Sequence, residues 1–98
     1  VTAFVEITGS VAVVSGAGSG IGRASAHSLA KRGASVVVTD VNGERAETVA
    51  AEITAAGGTA IWARCNVTDG DAIAAVRDLA LSKFGHLEIV MNNVGVLA

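Results

Sequence analysis

Four glycines within seven residues, Gly16, Gly18, Gly20 and Gly22, separate a continuous apolar run at residues 11–14 from a stretch whose apolar side chains recur at helical spacing. An unbroken apolar run reads as a parallel strand covered on both faces. Ile21, Ala24, Leu29 and Ala30 put an apolar stripe on a helix over residues 20–32, and Gly33 supplies its stop signal. A tight glycine turn from such a strand into a helix commits the chain to an α/β layout, because a strand buried on both faces needs cover on both sides of its sheet.

The pattern then repeats. Residues 35–39 form a second β-branched strand, residues 44–56 a helix closed by Gly57 and Gly58, and residues 59–64 a third strand. Asp69 caps a further helix that carries Ile73, Val76, Leu79, Ala80 and Phe84 inward until Gly85 ends it, and residues 87–91 make a fourth strand. Strands alternating with helices give parallel β-α-β units with right-handed crossovers. The expected architecture is therefore α/β, an open doubly wound parallel sheet; taken as Rossmann-like, it has the strand order 3-2-1-4. It is expected to be partial, strands 1–4 of that fold, with residues 1–98 forming one incomplete nucleotide-binding domain. A composition 51% hydrophobic with 12 glycines and no proline suits an apolar sheet with tight turns.

A formal net charge of −2 lacks the basic footprint that phosphate-backbone binding requires, which argues against nucleic acid and for a small ligand. Cys65 is the one cysteine, so no internal disulfide can form, and a lone thiol suits a reducing, cytoplasmic setting. No apolar run approaches the roughly 18 residues of a membrane span, and the basic region of a signal peptide is missing from the start. A first residue other than Met and the end at Ala98 lead to the expectation that these residues are a portion of a longer protein.

The glycine turn sits where backbone N–H groups and the positive end of a helix face the same point, the usual arrangement for a phosphate. Gly16, Gly20 and Gly22 are spaced G-x-x-x-G-x-G rather than the commoner G-x-G-x-x-G. This spacing resembles that of the short-chain dehydrogenase/reductase family. So do Asp40 at the end of strand two, Asn66-Val67 after strand three and Asn92-Asn93-Val94-Gly95 after strand four. The resemblance runs over about residues 7–97, with Asn66 and Val94 standing where Asp and Ala are more usual.

The resemblance implies a dinucleotide whose pyrophosphate lies over Ser19 and Ile21 on the Gly16, Gly20 and Gly22 turn, with its adenosine ribose on Asp40. It places Asn66 at the adenine amino group, Val67 beside the adenine, Asn93 near a cofactor ribose and Gly95 where the backbone passes close by. Plainer readings stand beside these: Asp40 as a turn acid, Asn66 as a strand-end turn residue, Val67 as packing, Asn92 and Trp62 as structural residues and Arg23 as an exposed helix-face arginine. His27, His86 and Cys65 have no metal-ligand spacing and no nucleophilic partner. A carboxylate at Asp40 repels a ribose 2′-phosphate: like charges about 4 Å apart cost on the order of 1 kcal/mol in water and about 4 kcal/mol at an effective dielectric of 20. With Ser19 and Val41 at the places where NADP-using relatives carry basic residues, NAD is the expected cofactor.

The family's catalytic serine and Tyr-x-x-x-Lys pair follow the strand-four motif, and the 98 residues contain no tyrosine, so no catalytic residue is assigned and these residues alone are expected to be inactive. For the complete protein the resemblance implies an NAD-dependent oxidoreductase, moving hydride between NAD(H) and a small alcohol or carbonyl substrate, and a homo-oligomer. The alternatives are a non-catalytic NAD-binding or sensing module and a degenerate interaction partner.

Overall fold

The computed structural model describes residues 7–66 and 68–93. Its elements alternate in the order β1 (Val11–Ser15), α1 (Gly20–Lys31), β2 (Ser35–Asp40), α2 (Gly43–Ala55), β3 (Thr59–Arg64), α3 (Gly70–Phe84) and β4 (Ile89–Asn92). The strands form one parallel sheet in the order β3-β2-β1-β4. Val13 pairs with Val37 on one side and Val90 on the other, and Val37 pairs in turn with Ile61. The expected α/β class and strand order both hold.

Side chains alternate across a strand, so β1 feeds two cores. Ala12 and Val14, with Val36 and Val38 of β2, face α1 and α2, which contribute Leu29, Val49 and Ile53 along with several alanines. Val11, Val13 and Val37 face the other way, onto Val76 and Ala80 of α3 and onto Cys65. Each fully buried Val or Ile contributes roughly 1.5–3 kcal/mol relative to exposure. The alanines of α1 and α2 let the helix axes lie close to the sheet.

The ends of the elements differ slightly from expectation, for local reasons. β4 begins at Ile89 rather than Leu87. The Glu88 carboxylate accepts the Val11 N–H at 2.8 Å, and the Glu88 N–H donates to Val11 O, which makes a latch ahead of the ladder. Leu87 instead packs into the α3-side core. α2 starts at Gly43 because the Asn42 side chain accepts the Arg45 N–H. The parallel arrangement brings the C-terminal ends of the strands, Ser15, Asp40, Arg64 and Asn92, to one edge of the sheet. Among the described residues no helix is long and apolar enough to cross a membrane.

Candidate functional site

At that edge the chain leaves β1 through a turn that is fastened to β2. The Ala17 N–H donates to Thr39 O at 2.9 Å, and the Thr39 hydroxyl donates to Val14 O at 3.0 Å. Gly16 and Gly20 adopt φ of 63° and 59°, in the left-handed region that side chains disfavour. Gly22 is needed for another reason: a Cβ there would lie 2.7 Å from the Gly16 carbonyl carbon and closer still to its oxygen. The first turn of α1 is pressed directly against the glycine loop.

The three helices end differently at their N-termini. α2 and α3 are capped by the side chains of Asn42 and Asp69 and carry Glu44 and Asp71 in their first turns. At α1 the N-cap Ser19 makes no side-chain cap bond, and no acidic residue sits in the first turn. The first N–H groups of a helix have no intrahelical partner and carry partial positive charge. At α1 these groups remain available to an anion, beside an Ile21 side chain that is 79% exposed.

Asp40 ends β2 with only 9% of its surface exposed. Its Oδ2 accepts the Gly18 N–H and its Oδ1 the Asn42 N–H, both at 2.9 Å. The carboxylate thus shapes the turn and also stands beside the glycine loop. An ionised carboxylate has about four acceptor positions, so capacity remains for ligand hydroxyls. Asn66 follows β3, and its Oδ1 accepts both the N–H and the hydroxyl of Thr68. An adenine amino group would have to compete with Thr68 for that oxygen. Asn92 closes the β1–β4 junction by accepting the Ser15 hydroxyl at 2.9 Å. Among the described residues, the Nδ2 of Asn93 is buried without a hydrogen-bond partner, a donor suited to a ligand oxygen. Val67 and Gly95 lie outside the described residues.

The free N–H groups of α1, the carboxylate of Asp40 and the orphaned amide of Asn93 are thus distributed along one edge, a donor and acceptor set that fits an extended dinucleotide. The motif reading passed over Gly18, whose N–H holds Asp40 and where a Cβ would come within 2.7 Å of Asp40 Oδ2. It also passed over Ser15, Thr39 and Asn42, whose side chains fix the loop ends. The only local signal for any of these was the cap-forming residue type of Asn42.

Arg23 does not reach toward the loop. It grips Glu52 of α2 through Nε at 3.0 Å and Nη2 at 2.6 Å, and His27 meets the same carboxylate at 2.9 Å. Hydrogen bonds from Arg23 and His27 push the Glu52 carboxyl down to about 2. A lowered carboxyl pKa means that the contribution of this clamp is complete above the usual glutamate range and is lost as pH falls through about 2. The expected result, readable by NMR titration, is that Glu52 stays ionised at pH values where ordinary glutamates have protonated, and that Arg23→Gln raises it toward the usual range while His27 still holds it below. Burial, with a smaller push from Asp69, raises the Cys65 thiol, so it is a poor nucleophile. Among the described residues no three His, Cys, Asp or Glu side chains come together to hold a metal ion.

An open parallel sheet in this order, with a glycine loop at its first strand-to-helix junction, defines the class of Rossmann-like α/β proteins. Within that class, the family model described as "short chain dehydrogenase" matches residues 10–98, and the chain belongs to this family. Cis-4-hydroxycyclohexanecarboxylate dehydrogenase of Sinomonas cyclohexanicum is 50% identical over 86 residues, 88% of this chain and 34% of that protein. The 7alpha-hydroxysteroid dehydrogenase of Escherichia coli K12 is 42% identical over 91 residues, 93% of this chain and 36% of that protein. A solved structure of a 7alpha-hydroxysteroid dehydrogenase complexed with NADH and 7-oxo glycochenodeoxycholic acid superposes with a TM-score of 0.89 at 42% identity, over 93% of this chain and 36% of that one. A short chain dehydrogenase from Mycobacterium avium gives 0.88 at 41% identity, over 95% of this chain and 36% of that one. The chain spans about a third of the length of the curated relatives it matches.

Proposed function

We propose that these residues are the cofactor-binding portion of an NAD-dependent oxidoreductase that interconverts an alcohol and a carbonyl compound. The observation that carries the reading is the placement of Asp40, a nearly buried carboxylate that shares Gly18 with the phosphate-type loop. In this reading the α1 N-terminus holds the pyrophosphate over Ser19 and Ile21, on the loop of Gly16, Gly20 and Gly22. Asp40 accepts the ribose hydroxyls and excludes a 2′-phosphate, while Asn66 and Val67 border the adenine and Asn93 and Gly95 border the second ribose. When bound, the nicotinamide supplies hydride chemistry, and the protein's share here is to bind and orient it. The complex of a 7alpha-hydroxysteroid dehydrogenase with NADH supports this choice of cofactor. We place the complete protein in the cytoplasm as a homo-oligomer, a setting in keeping with the buried free thiol of Cys65.

In the full-length protein Asp40→Ala is expected to weaken NAD binding by tenfold or more, since each hydrogen bond to a charged group contributes roughly 1.5–3 kcal/mol. The affinity for NADP relative to NAD should rise. Calorimetric titration with both nucleotides checks this, and an unchanged ratio would reduce Asp40 to a turn residue. A non-catalytic NAD-binding module predicts the same titrations but no turnover of any alcohol.

A further inference from the structure

Between α1 and α2 lies an open groove of about 510 Å³, bordered by Gly18 and Ser19 of the loop and by Asn42, Arg45 and Thr48 of α2 and its cap. Two cations reach it, and they are not equivalent. The Arg23 guanidinium is fastened to Glu52. Arg45 makes no side-chain hydrogen bond or ion pair among the described residues, and its side chain is exposed. Its position is set by the Asn42 cap, which receives the Arg45 N–H. A Cβ built on Gly18 would lie 2.6 Å from the Arg45 Cβ and 2.7 Å from Asp40 Oδ2, so the stem of the arginine and the carboxylate flank the same point of the loop. The groove also holds Glu44 and Glu52, but Glu52 is neutralised by Arg23 and His27.

We propose that Arg45 is a specificity-determining residue of the nucleotide site: a cation standing beside Asp40 that binds a phosphate on the ribose 2′-oxygen once the charge of that carboxylate is removed. The proposal rests on the dinucleotide reading above. A ribose held at Asp40 turns its 2′-oxygen toward the groups around that carboxylate, and Gly18, Asn42 and Arg45 are those groups. Asp40, with the exposed Glu44 of the same groove, then stands against a 2′-phosphate, while Arg45 supplies the cation whose stem flanks Asp40. Arginine suits the role, since its fork of donors matches phosphate oxygens.

The test uses the full-length protein and reads NAD and NADP affinities by calorimetry for wild type, Asp40→Asn, Arg45→Gln and the double variant. Asn removes the charge and keeps one acceptor oxygen, so one of the two N–H groups of Gly18 and Asn42 loses its partner, and a thermal melt checks that the turn survives. Asp40→Asn should raise the NADP to NAD affinity ratio. Adding Arg45→Gln should cut NADP affinity about tenfold, the factor of one charge-assisted hydrogen bond. Arg45→Lys in the same background should keep most of it, and the difference should shrink at high salt. Equal NADP affinity with and without Arg45 would overturn the proposal. Should Asp40→Asn fail to fold, Asp40→Ala takes its place with and without Arg45→Gln, and the same comparison of NADP affinities decides. Wild type that binds neither nucleotide would sink the proposed function and Arg45's role with it. Wild type that binds NAD while Arg45 has no effect on NADP sinks only the latter.

Discussion

Replacing Gly22 by Val in the full-length protein is expected to abolish nucleotide binding, with a loss of at least a hundredfold. The new Cβ would overlap the carbonyl of Gly16, and the obstructing atoms are backbone, so no rotamer change relieves the clash. Either α1 must move away from the loop or the loop must open. Both displace the first-turn N–H groups from the place where the left-handed Gly16 and Gly20 now hold them. Overpacking of this kind costs about 1–3 kcal/mol or more of stability, so a lowered but cooperative melt is expected beside the lost binding. Gly20 is the control. A Cβ there meets nothing within 4 Å, and its φ of 59° makes Gly20→Ala a matter of backbone strain alone, about 1–2 kcal/mol. Calorimetric titration and thermal melting of the two variants separate a lost approach from a lost fold. Native affinity in Gly22→Val would put the pyrophosphate somewhere other than this loop.

The layout of the sheet was legible because its signals are local: valine runs for β1 and β2, glycine stops at Gly33, Gly57 and Gly85, and the Asp69 cap all lie within or beside the element they define. The strand order was not local in this sense: it came from the Rossmann-like fold that the glycine turn after β1 points to, since crossover handedness alone leaves the order open. The site was legible in position but not in bonding. Asp40 could be seen at a strand end, but its bond to the Gly18 N–H spans 22 residues, and the Glu88 bond to the Val11 N–H spans 77. Neither leaves a mark on local spacing. Arg23 illustrates the same limit. The sequence reads it as an exposed helix-face arginine, but its partner Glu52 lies 29 residues away on another helix. Arg45 gave no local signal at all, because its interest lies in sharing a point with Gly18 and Asp40, which only the packing of α2 against the loop creates.

A polypeptide of residues 1–98 alone is expected to self-associate and to show no dehydrogenase activity. Inactivity follows from the absence of tyrosine among these residues, since a relative of this family needs the Tyr-x-x-x-Lys pair to move its proton. Association follows from the sheet. Among the described residues β4 is an end strand, bonded on one side to β1, and its Val90 is 71% exposed. The side of the sheet that Val90 faces is also thinly covered: an apolar hollow of about 230 Å³ lies between α3 and the strands, lined by Val13, Val76, Leu87 and Val90 among others. Ile73 and Leu81 of α3 add further exposed apolar surface. An uncharged strand edge beside such a surface is a template for pairing with another chain. Size-exclusion chromatography should therefore show concentration-dependent multimers, with circular dichroism still reporting α/β structure and an NADH absorbance assay giving no turnover. Val90→Lys puts a charge on the open strand and should raise the monomer fraction several-fold if the β4 edge is the contact. A monodisperse monomer that melts cooperatively would refute the argument, because it would mean that the α3-side core of Val11, Val13, Val37, Val76 and Ala80 is sufficient without further cover.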